Sequence, residues 1–163
     1  RLRQAFSRAR RHESRQHTDL PRVTHKKKRI EEIELLPFAA AVKSGVKSMM
    51  TAHIIYESIH KTMPAKLTKK LVKGILCKKL GFTGVVFTDD LLMAAVKDNF
   101  DWLDVINCSV LAGCDVLLIC KLEQSRVTFA LNELELIHEG EGRLLIDAAC
   151  KRIDRLAQTF KFS

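Results

Sequence analysis

The sequence predicts an α/β fold built on a parallel sheet. Three short apolar runs, residues 46–52, 85–88 and 115–119, alternate with segments of helical periodicity, the rhythm of parallel strands joined by crossover helices. The run Val85-Val86-Phe87 is β-branched or aromatic and follows Gly81 and Gly84, the pattern of a strand buried on both faces. It leads into two adjacent carboxylates, Asp89 and Asp90, at the strand end where α/β folds place ligands and catalytic groups.

Each element has its own signal. Residues 28–43 carry Ile30, Ile33, Leu35, Leu36, Phe38, Ala39 and Val42 and stop at Gly45, which predicts a helix with a small-residue end. The first strand, 46–52, follows directly. Residues 67–80 repeat the helical spacing through Leu71, Val72, Ile75, Leu76 and Leu80, with Thr68 placed to cap the start. After the second strand, 85–88, residues 101–112 form a helix ended by Gly113, and Asp115 to Ile119 form the third strand. Two last helices, 123–137 and 144–159, are split by Gly140 and Gly142. Right-handed crossovers then make the three strands parallel neighbours, with His53 and Asp89 along one rim.

At 163 residues and 47% apolar content, the chain is expected to bury one sizeable core as a single globular domain. No apolar run approaches membrane-spanning length and no signal-peptide pattern opens the chain, so no membrane span is expected. The start at Arg1 rather than methionine suggests a processed product, an artificially bounded piece or a fragment of something longer. The five cysteines, Cys77, Cys108, Cys114, Cys120 and Cys150, show no Cys-x-x-Cys spacing. They predict buried free thiols in a reducing, cytoplasmic compartment, with no disulfide framework, metal or cofactor.

The net charge of +9 is unevenly placed. Residues 1–29 hold 11 Lys/Arg against Glu13 and Asp19, whereas the remainder holds 17 basic and 17 acidic residues. The chain is therefore divided into a basic arm, residues 1–25, and a domain, residues 26–163, whose charges balance from residue 30 onward. An arm of this charge is suited either to gripping an anionic surface or to standing as a solvated flank; with Phe6 as its one aromatic it suggests no specific nucleic-acid partner.

Five motifs then occur in a telling order: Leu36-Pro37-Phe38; Met50-Thr51-Ala52-His53; Met63-Pro64-Ala65 with Leu67; Leu80-Gly81-Phe82-Thr83-Gly84-Val85-Val86-Phe87-Thr88-Asp89-Asp90-Leu91 with Met93; and Ala112-Gly113-Cys114-Asp115. In that order the chain resembles glycoside hydrolase family 3, in its β-N-acetylhexosaminidase branch, from about Leu20 to the C-terminus. Ile146-Asp147 and Arg152-Ile153 are similar to the helix that closes the family's catalytic domain.

The resemblance implies a partial (β/α)8 barrel: residues 26–163 would supply about three strands with flanking helices, the C-terminal half of the barrel, to be completed by an upstream half barrel or by self-association. It also implies a retaining glycoside hydrolase that removes β-linked N-acetylglucosamine from amino-sugar glycans such as peptidoglycan fragments. In that chemistry Asp89 is the nucleophile, Asp90 is structural, and His53 and Met50 line the substrate site. The family's mobile-loop motif Asp-Ser-His-x-x-Leu-Pro corresponds to Arg15-Gln16-His17-Thr18-Asp19-Leu20-Pro21, which makes His17 the acid/base residue and puts Arg15 where an aspartate would orient it. A neighbouring cation opposes protonation of imidazole, so the dyad is expected to be weakened. The sugar-gripping Lys-His-Phe-Pro-Gly-His-Gly loop falls on Gln4-Ala5-Phe6-Ser7-Arg8-Ala9-Arg10, where only Phe6 is kept.

Taken without the resemblance, the residues leave bland readings open. Asp89 and Asp90 then read first as an aspartate pair capping a helix over 91–96, and His53 first as a satisfied structural histidine. His12, His25, His60 and His138 receive no role. The alternative function is a non-catalytic remnant, a binding or assembly module with a basic arm.

Overall fold

The computed structural model describes residues 20–93, 96, 99–121 and 123–160. The first predicted helix forms in three pieces. Lys27–Arg29 leads into a wide turn, Ile30–Glu34, closed by Leu35 N–H donating to the Ile30 carbonyl five residues back (2.9 Å), and then into α1, Leu36–Lys43. Pro37 has no N–H to offer Ile33, so regular α-winding would leave that carbonyl without its partner, and the winding changes just ahead of it. The helix stops where the sequence places its end: Ser44 and Gly45 donate back to Ala40 and Val42, both at 2.9 Å.

Among the described residues five strands form: β1 (Arg22–Val23), β2 (Ser48–Met50), β3 (Ile55–Tyr56), β4 (Val85–Asp90) and β5 (Val116–Leu118). The three predicted strands are β2, β4 and β5, all parallel, in the order β2-β4-β5. Ser48, Met49 and Met50 pair with Val85, Val86 and Phe87. On the other side Phe87 pairs with Val116 and Asp90 with Leu118, so β4 advances three residues while β5 advances two, a one-residue bulge. Val85 and Val86 are each 1% exposed, so both faces of β4 are covered, as the apolar run predicts. A second parallel pair, β1 with β3, was not foreseen; β1 lies inside the stretch assigned to the basic arm.

Gly84 enters β4 where only glycine fits. A Cβ there would lie 2.3 Å from the Lys47 carbonyl oxygen, inside any allowed contact.

The helix predicted over 67–80 begins as a tight turn, Ala65–Leu67, and continues as α2, Lys70–Lys79, again widely wound, with Leu80 N–H on the Ile75 carbonyl (2.9 Å). Thr68 does not cap it. Its buried hydroxyl donates instead to the Pro64 carbonyl (2.9 Å), an acceptor already at hand inside the fold. Helix α3, Trp102–Ala112, is capped by Asp101, which accepts from Leu103 N–H at 2.9 Å, and it ends at Gly113 with φ +101°, a left-handed conformation open to glycine. Helices α4, Gln124–Glu139, and α5, Arg143–Gln158, flank the glycine-containing corner at 140–142, which His138 Nε2 and Asp147 Oδ1 clamp at 2.9 Å.

The core has two parts. Met49, Val72, Leu76, Phe82, Val86, Ala112 and Cys114 join the sheet to α2 and α3, while Leu67, Leu91, Val96 and Val105 pack beyond the end of β4. At the sheet's opposite end Asp115, its side chain 1% exposed, accepts Val86 N–H (2.9 Å) and both Nε (3.1 Å) and Nη2 (2.6 Å) of Arg152, fastening α5 to β4 and β5.

The expectation of buried thiols needs correction for two cysteines. Cys114 is buried and Cys77 and Cys108 are half-buried, but Cys120 and Cys150 are exposed, the first just past the end of β5 and the second on α5. None of the five is in a disulfide. No described helix is long and apolar enough to cross a membrane.

Candidate active site

The bulge sends the last two side chains of β4 to different neighbours. Asp89 faces the loop after β2, where its Oδ2 accepts the His53 backbone N–H (3.0 Å) and lies 2.7 Å from His53 Nδ1. Asp90 serves the β5 side: its Oδ1 accepts the N–H groups of Leu92 (3.0 Å) and Cys120 (3.1 Å). The displaced Leu118 N–H is taken up by the fully buried Thr88 hydroxyl (2.9 Å). The β2–β4 ladder reaches the site, since Thr51 N–H donates to the Phe87 carbonyl (2.8 Å) two residues before His53. His53 and Asp89 thus meet at the C-terminal rim of the sheet by backbone geometry as well as by side-chain contact.

The two side chains are 20% and 17% exposed, sheltered yet reachable from solvent. With the carboxylate ionised, the 2.7 Å contact requires the imidazole proton on Nδ1. Two N–H donors on one oxygen favour the charged form of a carboxylate and fix its orientation, properties suited to a nucleophile or to stabilising a nearby cation. The Cys120 thiol belongs to the same rim. Partial dehydration raises its pKa above the ordinary thiol value, and the negative charge of Asp90, which also accepts a hydrogen bond from the sulfur, raises it further.

The other sequence-derived site residues lie elsewhere. Met50 lines an apolar cavity of about 80 Å³ with Leu35, Phe38, Leu71, Ile75 and Leu80; neither His53 nor Asp89 lines that cavity. His17, its neighbour Arg15 and the loop at 4–10 fall outside the described residues. Among the described residues no cluster of three or more His, Cys, Asp or Glu is arranged to hold a metal ion. Two links were not read from the sequence, Asp90 to Cys120 and Asp115 to Arg152. Their partners stand 30 and 37 residues apart, and no local pattern connects them.

Comparison with known proteins places this arrangement. Residues 9–156 match the Glycosyl hydrolase family 3 N terminal domain. The chain is 36% identical over 107 residues to a beta-hexosaminidase of Xylella fastidiosa (strain M23), covering 66% of this chain and 32% of that protein. It is 32% identical over 142 residues to a beta-hexosaminidase of Thiobacillus denitrificans, covering 87% and 36% respectively. In three dimensions it is similar to a glycoside hydrolase family 3 beta-N-acetylglucosaminidase from Paenibacillus sp. str. FPU-7, with a TM-score of 0.81, 32% identity and coverage of 89% of this chain and 28% of that one. The chain therefore spans about a third of the length of the relatives it matches. With strands, helices and rim carboxylates in place and the match running from residue 9 to residue 156, the chain belongs to glycosyl hydrolase family 3, within that family's N terminal domain.

Proposed function

We propose that the chain is the C-terminal part of a (β/α)8 barrel and that the completed barrel is a retaining glycoside hydrolase, removing β-linked N-acetylglucosamine from amino-sugar glycans such as peptidoglycan fragments. One observation carries this reading: Asp89, at the C-terminal end of β4, is held by His53 at the rim where parallel α/β folds do their chemistry. Support for the substrate class comes from the names of the relatives, beta-hexosaminidase and beta-N-acetylglucosaminidase. Residues 26–163 form the partial catalytic domain and residues 1–25 a basic arm, of which Arg22–Val23 joins the fold as β1. The free cysteines are in keeping with a reducing, cytoplasmic setting.

In this reading an Asp89 oxygen bonds to the anomeric carbon as the bond from that carbon to the leaving oxygen breaks. The leaving oxygen keeps the electron pair and takes a proton from His17. Water then attacks the same carbon, gives a proton to His17 and frees Asp89. His53 flanks the nucleophile, and Met50 backs the His53 loop from the apolar side. No cofactor enters, and Asp90 holds the turn rather than the sugar.

A second reading, a non-catalytic binding or assembly module, is favoured by Arg15, by Gln4 and Ala5 in the sugar-gripping positions, and by the share of the relatives' length that the chain spans. Turnover of an aryl N-acetyl-β-glucosaminide separates the two. The test uses the chain alone and the chain co-expressed with the preceding segment of a family relative that would complete the barrel. An aryl leaving group needs little protonation, so Asp89→Ala is expected to abolish turnover, whereas Arg15→Asp raises the rate chiefly for poorer, alkyl leaving groups. Wild-type rates in Asp89→Ala would remove the nucleophile assignment; silence of every combination would leave the module reading in possession.

A further inference from the structure

We propose that His53 is the positioning residue of the Asp89 carboxylate, acting through an imidazole that carries its proton on Nδ1. The inference rests on the reading of Asp89 as nucleophile and assigns His53 a task other than gripping sugar.

Both donors that His53 offers, its backbone N–H at 3.0 Å and Nδ1 at 2.7 Å, converge on the same atom, Asp89 Oδ2. Two contacts from one residue to one oxygen fix where that oxygen lies and the plane in which the carboxylate stands. The residue itself is located by the sheet, because the β2–β4 register runs unbroken from Ser48–Val85 to Met50–Phe87 and continues in the Thr51 N–H bond to Phe87. His53 is therefore set against Asp89 by covalent chain and ladder, not by a mobile side chain alone.

With the imidazole neutral, the contact is a part-buried hydrogen bond whose worth to folding is modest, so stability is not its sole account. A sugar contact would be limited to one hydrogen bond, because Nδ1 is spent on Asp89 and Nε2 can only accept from a hydroxyl. What the contact does supply is orientation of a reacting group before the substrate arrives, and displacement of such a group by about 1 Å costs on the order of 10²-fold in rate.

The test has two arms on the full chain. In long-range 1H–15N spectra at neutral pH, with His53→Leu used to assign the ring signals, wild-type His53 is expected to show Nδ1 protonated. Asp89→Ala is expected to shift the ring toward the Nε2-protonated tautomer that free histidine prefers. A wild-type ring with Nδ1 bare overturns the proposal. In the second arm, p-nitrophenyl N-acetyl-β-glucosaminide is the substrate, and His53→Leu is expected to lose roughly 10²-fold in kcat with KM nearly unchanged. His53→Asn, whose amide N–H stands close to where Nδ1–H stood, is expected to recover most of that loss. A raised KM with kcat intact would make His53 a sugar ligand and also overturn the proposal. Should the wild-type chain give no turnover, alone or co-expressed with the barrel-completing segment, while Nδ1 is protonated, the catalytic reading of the chain fails and the positioning contact stands; a bare Nδ1 in an active chain is the reverse.

Discussion

Cys120 shows how closely single charges at the rim are coupled. Dehydration and then the nearby charge of Asp90 raise the pKa of its thiol, so this exposed cysteine is expected to be a sluggish nucleophile at neutral pH. Asp90→Asn keeps the Oδ1 acceptor used by the Leu92 and Cys120 N–H groups while removing the charge. Alkylation of Cys120 by iodoacetamide, followed by peptide-resolved mass spectrometry, is therefore expected to accelerate about 3- to 10-fold in Asp90→Asn, because lowering the pKa toward its ordinary value raises the thiolate fraction. An unchanged rate would mean that Asp90 does not control the sulfur. The half-buried Cys77 and Cys108 also have raised pKa values through dehydration first, but with no contribution from Asp90, so a charge-removing substitution at Asp90 should leave their labelling as it was.

Among the elements, the terminal helix depends on one ion pair. Arg152 reaches from α5 to the almost wholly buried Asp115, and removing the guanidinium strands a carboxylate away from water. Arg152→Met is expected to cost about 3 kcal/mol, toward the low end for a buried pair because the arginine is partly solvated; Asp115→Asn/Arg152→Met is expected to recover about half of it, since no charge is then left unpaired. Urea unfolding at neutral pH measures both, and a loss below about 1 kcal/mol in the single variant would contradict the account. How far such elements show in the sequence depends on whether their signal is local. Strand β4 was legible because Val85-Val86-Phe87 is an apolar run behind the obligatory Gly84, and α3 because Asp101 and Gly113 mark its two ends. Strands β1 and β3 were not, because two residues carry no period. The wide winding around Pro37 and the hydroxyl of Thr68 turning to Pro64 depend on competing hydrogen bonds that only the folded chain decides. The rim was legible as two residue types at two strand ends; that His53 and Asp89 touch, 36 residues apart, needed the β2–β4 register.

For the molecule as a whole, stability should be graded outward from the central strand. β4 is bonded on both sides, whereas β1 and β3 pair over two residues each, and so short a ladder is marginal. In hydrogen exchange the Ile55 and Glu57 amides, which donate to Pro21 and Val23, are expected to exchange at least about 10-fold faster than the Thr51 amide bonded to Phe87; equal protection would mean that the β1–β3 pair opens only with the sheet. The bulge in β4 bears on every comparison made with this family. Two identical letters stand side by side at its end, so a sequence with a single aspartate there can be aligned to either of them by moving a gap one place. Yet one aspartate is clasped by a histidine across the sheet and the other ties down a turn. A slip of one position would therefore transfer a chemical assignment onto a scaffolding side chain, and the unequal advance of β4 and β5, with the partners it gives each aspartate, tells the two apart.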